Sequence, residues 1–275
     1  MRVHFTNVAG VPTRYFRAGE GHPVLLLHGV GMTSDSWCCT MPALARRFDV
    51  IAPDMLDNGF TGSGSYQGGP PHGPMLDHLA ALLDALGIRQ AHVVGSSFGA
   101  TLAVLMRVRH PERTGRVVIT SSGSVFKKAE DLARMYRNAY ENGAAALRDP
   151  TYDDCRRRLA NLFHDPSKIP HELVLLQLTP FALPNALASF ERRLKGMMDV
   201  EAMRQYEVGH LLETIDTPML AVWGRQDQRG EHALAEKVFA RLPSVRFETF
   251  DGCGHLPHLE CVDRFNETVA DFLSK

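Results

Sequence analysis

With 275 residues, of which 44% are hydrophobic and 22% charged, the chain has an ordinary globular composition and enough length for a sizeable core, which excludes disordered and collagen-like states. The 30 Lys and Arg against 31 Asp and Glu leave a net charge of -1, and no basic run supplies the positive stripe that a phosphate backbone requires, so nucleic acid is not an expected partner. Cys38, Cys39, Cys155, Cys253 and Cys261 are odd in number and form no CxxC pair, against both a disulfide framework and a zinc cluster.

The opening MRVHFTNVAGVPTRYF lacks the apolar stretch of a secretory signal, and no apolar run approaches the ~20 residues that span a bilayer. A cytoplasmic protein with no membrane partner is therefore expected. Residues 24–27, 50–52 and 93–94 are short apolar runs, each followed by Gly or Pro, and read as strands buried on both faces. Between the second and third, Met75, Leu76, Leu79, Leu82, Leu83 and Leu86 recur at helical spacing and stop at Gly87. Strand, helix and strand in alternation predict a parallel sheet.

A further strand at 117–120 ends at Ser121-Ser122-Gly123. From Lys127 to about Leu212 the periodicity is helical with no strand signal, and Pro150, Pro166, Pro170, Pro180 and Pro184 divide it into short helices. That stretch reads as a cap over residues 125–212, inserted into a core of residues 1–124 and 213–275. Strand signals resume at 219–223 and Val245–Phe250, and residues 261–273 carry the spacing of a closing amphipathic helix.

The chemistry centres on Gly95-Ser96-Ser97-Phe98-Gly99, placed after the strand at 91–94 and before an apolar helix. A strand-to-helix turn needs small residues on both flanks so that a strained serine can project its hydroxyl, and Ser97 alone lies between glycines at i−2 and i+2. A serine hydroxyl is a weak nucleophile and needs a base held by an acid. Asp227, in Trp-Gly-Arg-Gln-Asp after the strand at 219–223, is the expected acid, with Asp216 and Asp251 as the alternatives. His255, in the glycine-rich loop Asp-Gly-Cys-Gly-His, is the expected base, and His258 reads as a surface or cap-facing residue. No third ligand joins these two histidines, so neither a metal nor a cofactor is expected. The loop His28-Gly29-Val30-Gly31 frees backbone N–H groups, making Val30 and Phe98 the expected oxyanion donors and His28 a brace for the loop.

These four segments resemble the α/β-hydrolase superfamily over nearly the whole chain, which implies a mostly parallel central sheet flanked by helices with a helical cap after the sixth strand. The chain most resembles the meta-cleavage product hydrolases, through the HGxG loop followed by Trp37, through Cys253-Gly254-His255, and through Phe190-Glu191-Arg192-Arg193-Leu194 in the cap. The resemblance implies cleavage of a carbon-carbon bond in a carboxylate-bearing vinylogous diketone, with Arg193 on the carboxylate and with Gly29, Ser96 and Leu256 bordering the substrate. Ser96 and Leu256 stand where that family usually carries asparagine and tryptophan. A carboxylesterase or lactonase with the same three residues is the alternative, and a ligand-sensing protein with a mobile cap is a third. Dehalogenase and epoxide hydrolase chemistry are disfavoured, because those relatives use Asp where this chain has Ser97. The expected partner is a small-molecule substrate, with a homodimer as the base-rate expectation for assembly.

Overall fold

At the N-terminus an edge strand, β1 (Arg2–Val8), folds back antiparallel on β2 (Val11–Ala18). Ala9 and Gly10 both take positive φ, 49° and 86°, as two-residue hairpins require, and Asn7 Oδ1 accepts the Gly10 N–H at 2.7 Å. The sequence reading contains no such hairpin. Its turn is Ala-Gly rather than Asn-Gly or Asp-Gly, and its outer strand leaves Val3 and Phe5 in solvent, so neither usual signal marks it.

The computed structural model describes all 275 residues. The remaining strands are β3 (His22–Leu27), β4 (Phe48–Pro53), β5 (Ala91–Ser96), β6 (Thr114–Thr120), β7 (Met219–Gly224) and β8 (Val245–Phe250). They form one sheet in the order β1-β2-β4-β3-β5-β6-β7-β8, with β2 antiparallel to β4 and every pairing beyond β4 parallel. Strands covered on both faces are mostly apolar, and β4 and β7 are buried along their whole length, with Asp49 of β4 paired to Arg17.

Helices α1 (Met41–Leu44), α2 (His72–Ala85) and α3 (Phe98–Arg109) cross between the early strands, and α9 (His232–Phe239) follows β7. On one face Leu25, Leu27, Val93 and Ile119 pack with side chains of α2 and α3, while Met219 and Ala221 share that core with Ala235 and Phe239 of α9. On the other face Val24, Leu26, Val94 and Val118 meet Trp37, Met41 and Leu44, and Phe265 and Val269 from α11 (Val262–Leu273), which follows the single turn α10 (Pro257–Glu260). Alternate residues of one strand thus serve two cores.

Between β6 and β7 there is no strand. The segment forms α4 (Ala129–Arg148), α5 (Tyr152–Ala160), α6 (His171–Phe181), α7 (Ala186–Met197) and the single turn α8 (Val200–Met203). Pro150, Pro166, Pro170 and Pro184 fall between these helices, but Pro180 lies inside the last turn of α6 rather than ending it. Phe190 on α7 rests against Gly143 on α4, where a Cβ would lie 2.5 Å from the ring. No single helix is long and apolar enough to cross a membrane. Because β3, β5, β7 and β8 run parallel, the loops after them share one edge of the sheet, beneath these helices.

Candidate active site

At the end of β5 the chain turns directly into α3, and Ser97 sits at the corner with φ 53° and ψ −118°, a conformation costly for a residue with a Cβ. Its backbone is held from both sides: the N–H donates to Thr120 O at 2.9 Å, and Ser122 Oγ donates to Ser97 O at 2.6 Å. Both flanking glycines are obligatory. A Cβ on Gly95 would lie 2.2 Å from Gly99 O, and one on Gly99 would lie 2.2 Å from Leu27 O.

His255 Nε2 lies 3.1 Å from Ser97 Oγ, and His255 Nδ1 lies 3.0 and 3.1 Å from the two carboxylate oxygens of Asp227. Burial opposes ionisation of Asp227, but His255 and the N–H groups of Gly230 and Arg229, donating to Oδ1 at 2.8 and 2.9 Å, outweigh it and hold its pKa below the ordinary carboxylate value. An ionised, immobile carboxylate on Nδ1 leaves Nε2 to face the serine, the arrangement that general-base activation of a hydroxyl needs. The alternative acids are elsewhere: Asp216 and Asp251 are exposed and paired with Arg107 and Arg225.

The loop after β3 faces Ser97 from the other side. Gly29, Val30 and Phe98 all line the cavity that contains Ser97 and His255. The Val30 N–H has no acceptor within the protein, and Phe98 is the first residue of α3, where an N–H has no intrahelical partner. His28 is fully buried and spans two loops: Nδ1 meets Gly29 O at 2.9 Å, and Nε2 accepts the Met55 N–H at 3.1 Å. Nε2 therefore carries no proton and Nδ1 donates, which fits a pKa that burial lowers to about 4.

Three expectations need correction. Arg193 does not reach this cavity. It is buried at the seam between cap and core, where it donates to the carbonyl of Asp57 and pairs with the Asp57 carboxylate at 3.4 Å, bordering a separate cleft of about 560 Å³. Ser96 ends β5 with its hydroxyl buried and unpartnered, away from the cavity wall, because alternate residues of a strand point to opposite faces. His258 is neither on the surface nor against the cap: it is 1% exposed and packs on Trp37, with ring centroids 4.4 Å apart. Leu256 does line the cavity.

The sequence reading missed the two cations in the cavity wall, Arg158 on α5 and Arg229 in the acid loop. Neither has a carboxylate partner. Arg158, 5% exposed, donates to Val30 O at 2.9 Å and to Gln177 Oε1 at 3.0 Å, with Nε unpartnered; burial and the neighbouring Arg229 lower its pKa to about 10. Arg229 donates through Nε to Asn161 O at 3.2 Å and holds its remaining donors unpaired. A usable signal existed for Arg158, since Cys155 at i−3 places it on the buried face of its helix.

The family model for the α/β hydrolase fold matches residues 22–261. A 2-hydroxymuconate semialdehyde hydrolase of Pseudomonas putida is 30% identical over 97% of this chain and 92% of its own, and one from Pseudomonas sp. (strain CF600) is 29% identical over the same shares. Among solved structures, a meta-cleavage product hydrolase from Pseudomonas fluorescens IP01 superimposes with a TM-score of 0.81 at 29% identity, covering 98% of this chain and 97% of that one. Sheet order, strained corner and sequence agree over nearly the whole length: the chain belongs to the α/β-hydrolase fold family and is, within it, most like the meta-cleavage product hydrolases.

Proposed function

We propose that this hydrolase cleaves a carbon-carbon bond in a vinylogous diketone bearing a carboxylate, with Ser97 as nucleophile, His255 as base and Asp227 as the acid that orients it. The observation that carries the reading beyond a general serine hydrolase is the pair of cations, Arg158 and Arg229, that border the Ser97 cavity with no carboxylate bonded to either guanidinium. Arg158 is buried and Arg229 half-buried, a guanidinium held away from water without a counter-ion is costly, and a substrate carboxylate would supply the missing charge. Arg229, with free donors, takes the carboxylate in this reading, the role that resemblance alone gives to Arg193.

A carbon leaving group departs only if its charge delocalises. The dienol first becomes a ketone, with His255 moving the proton and the cations holding the carboxylate. Ser97 and the Val30 and Phe98 amides then act at the far carbonyl; scission of the carbon-carbon bond releases a stabilised dienolate, which takes up a proton, and water supplies the hydroxyl of the carboxylic acid that leaves from the acyl half. The relatives named for 2-hydroxymuconate semialdehyde support this substrate class. A carboxylesterase or lactonase would use the same three residues, and Leu256, an apolar wall beside His255, favours it.

The deciding experiment compares turnover of a yellow ring-fission dienol with that of p-nitrophenyl butyrate. The proposal expects faster bleaching of the dienol, and a KM for it raised tenfold or more by Arg229→Gln with the ester unaffected. Ester turnover exceeding dienol bleaching by orders of magnitude removes the carbon-carbon assignment.

A further inference from the structure

Two cap side chains grip consecutive carbonyls of the loop that presents Val30. Arg158 on α5 donates to Val30 O at 2.9 Å, and Gln177 on α6 donates to Gly31 O at 3.1 Å. The two side chains are themselves joined, Arg158 Nη1 to Gln177 Oε1 at 3.0 Å, and both are 5% exposed. The preceding peptide, whose N–H belongs to Val30, is fixed from the core side, because Gly29 O meets His28 Nδ1 at 2.9 Å and accepts the Met32 N–H at 3.2 Å. The core therefore holds one side of the loop and the cap holds the other.

Gly31 lies between them with φ +65°, and a Cβ there would sit 2.6 Å from Arg158 Nη2. The guanidinium occupies the space that a side chain would need. Glycine also makes this the point about which the loop can turn most freely once its carbonyls are released. Buried carbonyls must find donors, and here the donors belong to a different layer of the molecule.

We infer that Arg158 and Gln177 are positioning residues that couple the seating of the cap to the oxyanion site: only with α5 and α6 down on the core is the Val30 N–H held where a developing oxyanion needs it. The inference rests on the reading of Val30 as an oxyanion donor. It differs from the carboxylate role of the cavity cations, because a latch on the loop acts on any acyl substrate, charged or neutral.

The test uses neutral probes on the intact protein. Gln177→Glu keeps an acceptor for Arg158, and adds a counter-ion, but places a carboxylate against Gly31 O where a donor stood; Gln177→Met removes the donor at similar length. Both should lower the rate constant of the acylation burst with p-nitrophenyl acetate at least tenfold, with little change in the substrate concentration that half-saturates it. Both should also weaken, by a similar factor, an aryl trifluoromethyl ketone whose adduct places an oxyanion at Val30 and Phe98. Thermal unfolding of Gln177→Glu should stay at or above that of the parent, which separates positioning from folding. Parent-like burst rates and ketone affinity in both variants overturn the latch. A parent protein that forms no ketone adduct overturns the oxyanion reading and the latch together.

Discussion

The backbone N–H of His255 donates to the carbonyl of Leu162 at 2.8 Å, so the proposed base hangs from the cap as well as from its own loop. Glu260 completes the tether: its carboxylate accepts the N–H groups of Gly254 and Leu256, each at 3.0 Å, and that of His164 at 2.7 Å. One carboxylate thus binds both neighbours of the base and a cap residue. Replacing it leaves three donors unpaired, and charged acceptors of this kind contribute more than neutral ones. Glu260→Ala should lower kcat ten- to a hundredfold with KM little changed, and lower stability by about 2 kcal/mol. Steady-state kinetics and urea midpoints measure both, and a parent-like kcat would show that the imidazole holds its place without the tether.

The glycines around Ser97 give a prediction about space rather than charge. Gly95→Ala and Gly99→Ala each put a Cβ 2.2 Å from a backbone oxygen, and a backbone oxygen cannot swing away as a side-chain tip can. Each variant should lose at least a hundredfold in labelling of Ser97 by a fluorophosphonate, or fail to fold. Gly87→Ala is the control: Gly87 has φ +67° but nothing within 4 Å of its Cβ, so it should cost only ~1 kcal/mol and label normally. Equal labelling in all three would mean that the corner relaxes more than the fold suggests.

Arg193 is predicted to matter for stability and not for substrate affinity. Its guanidinium and the Asp57 carboxylate are both buried at the cap seam, with Arg192 also paired to Asp57. Without Arg193 the Asp57 carboxylate keeps Arg192, so the cost is mainly that of the lost charge-assisted bond to the buried Asp57 carbonyl, about 2 kcal/mol. Arg193→Ala should lower the unfolding midpoint accordingly while KM for a carboxylate substrate changes less than twofold. A tenfold rise in KM at unchanged stability would return the carboxylate to Arg193.

What the sequence makes legible follows from how local each signal is. Ser97, Asp227 and His255 each follow an apolar strand within a few residues and stand among glycines, so strand direction alone brings them to one edge of the sheet. For Arg158 the cue is fainter: in the run Arg156-Arg157-Arg158 its spacing from Cys155 marks it as the one that turns inward, but that its partner is the carbonyl of Val30 depends on how α5 lies over that loop. Arg193 misleads for the same reason in reverse, because Asp57, distant in the chain, takes it. His258 looks exposed beside Glu260, yet the single turn α10 folds it onto Trp37, a contact that no local pattern encodes. Local chemistry is readable in a strand-turn-helix corner. Long-range pairing of charges is not.

The last prediction concerns acid. His28, His72 and His258 are fully buried, and burial lowers their pKa values to about 4, 3 and 3 from an ordinary 6.5. Both ring nitrogens of His72 lack partners, so nothing in the fold rewards a proton there. The folded protein keeps these rings neutral while the unfolded chain takes protons below 6.5. A lowered folded pKa means stability that is complete above the unfolded value and is lost as pH falls toward the folded one. Between pH 6.5 and 4 each ring should therefore remove stability at up to ~1.4 kcal/mol per pH unit. The depressed carboxyl of Asp227 acts in the same direction, beginning lower, at the ordinary carboxylate range. Urea midpoints should stay level from pH 8 to 7 and drop steeply from 6.5 to 5. Burial lowers His78 and His92 to about 4 as well, so His72→Phe, which keeps the stack on Tyr206, should remove about a fifth of that slope, one ring of five. A midpoint that stays flat down to pH 5 would mean that these rings accept protons inside the folded protein, and that their burial is not what keeps them neutral.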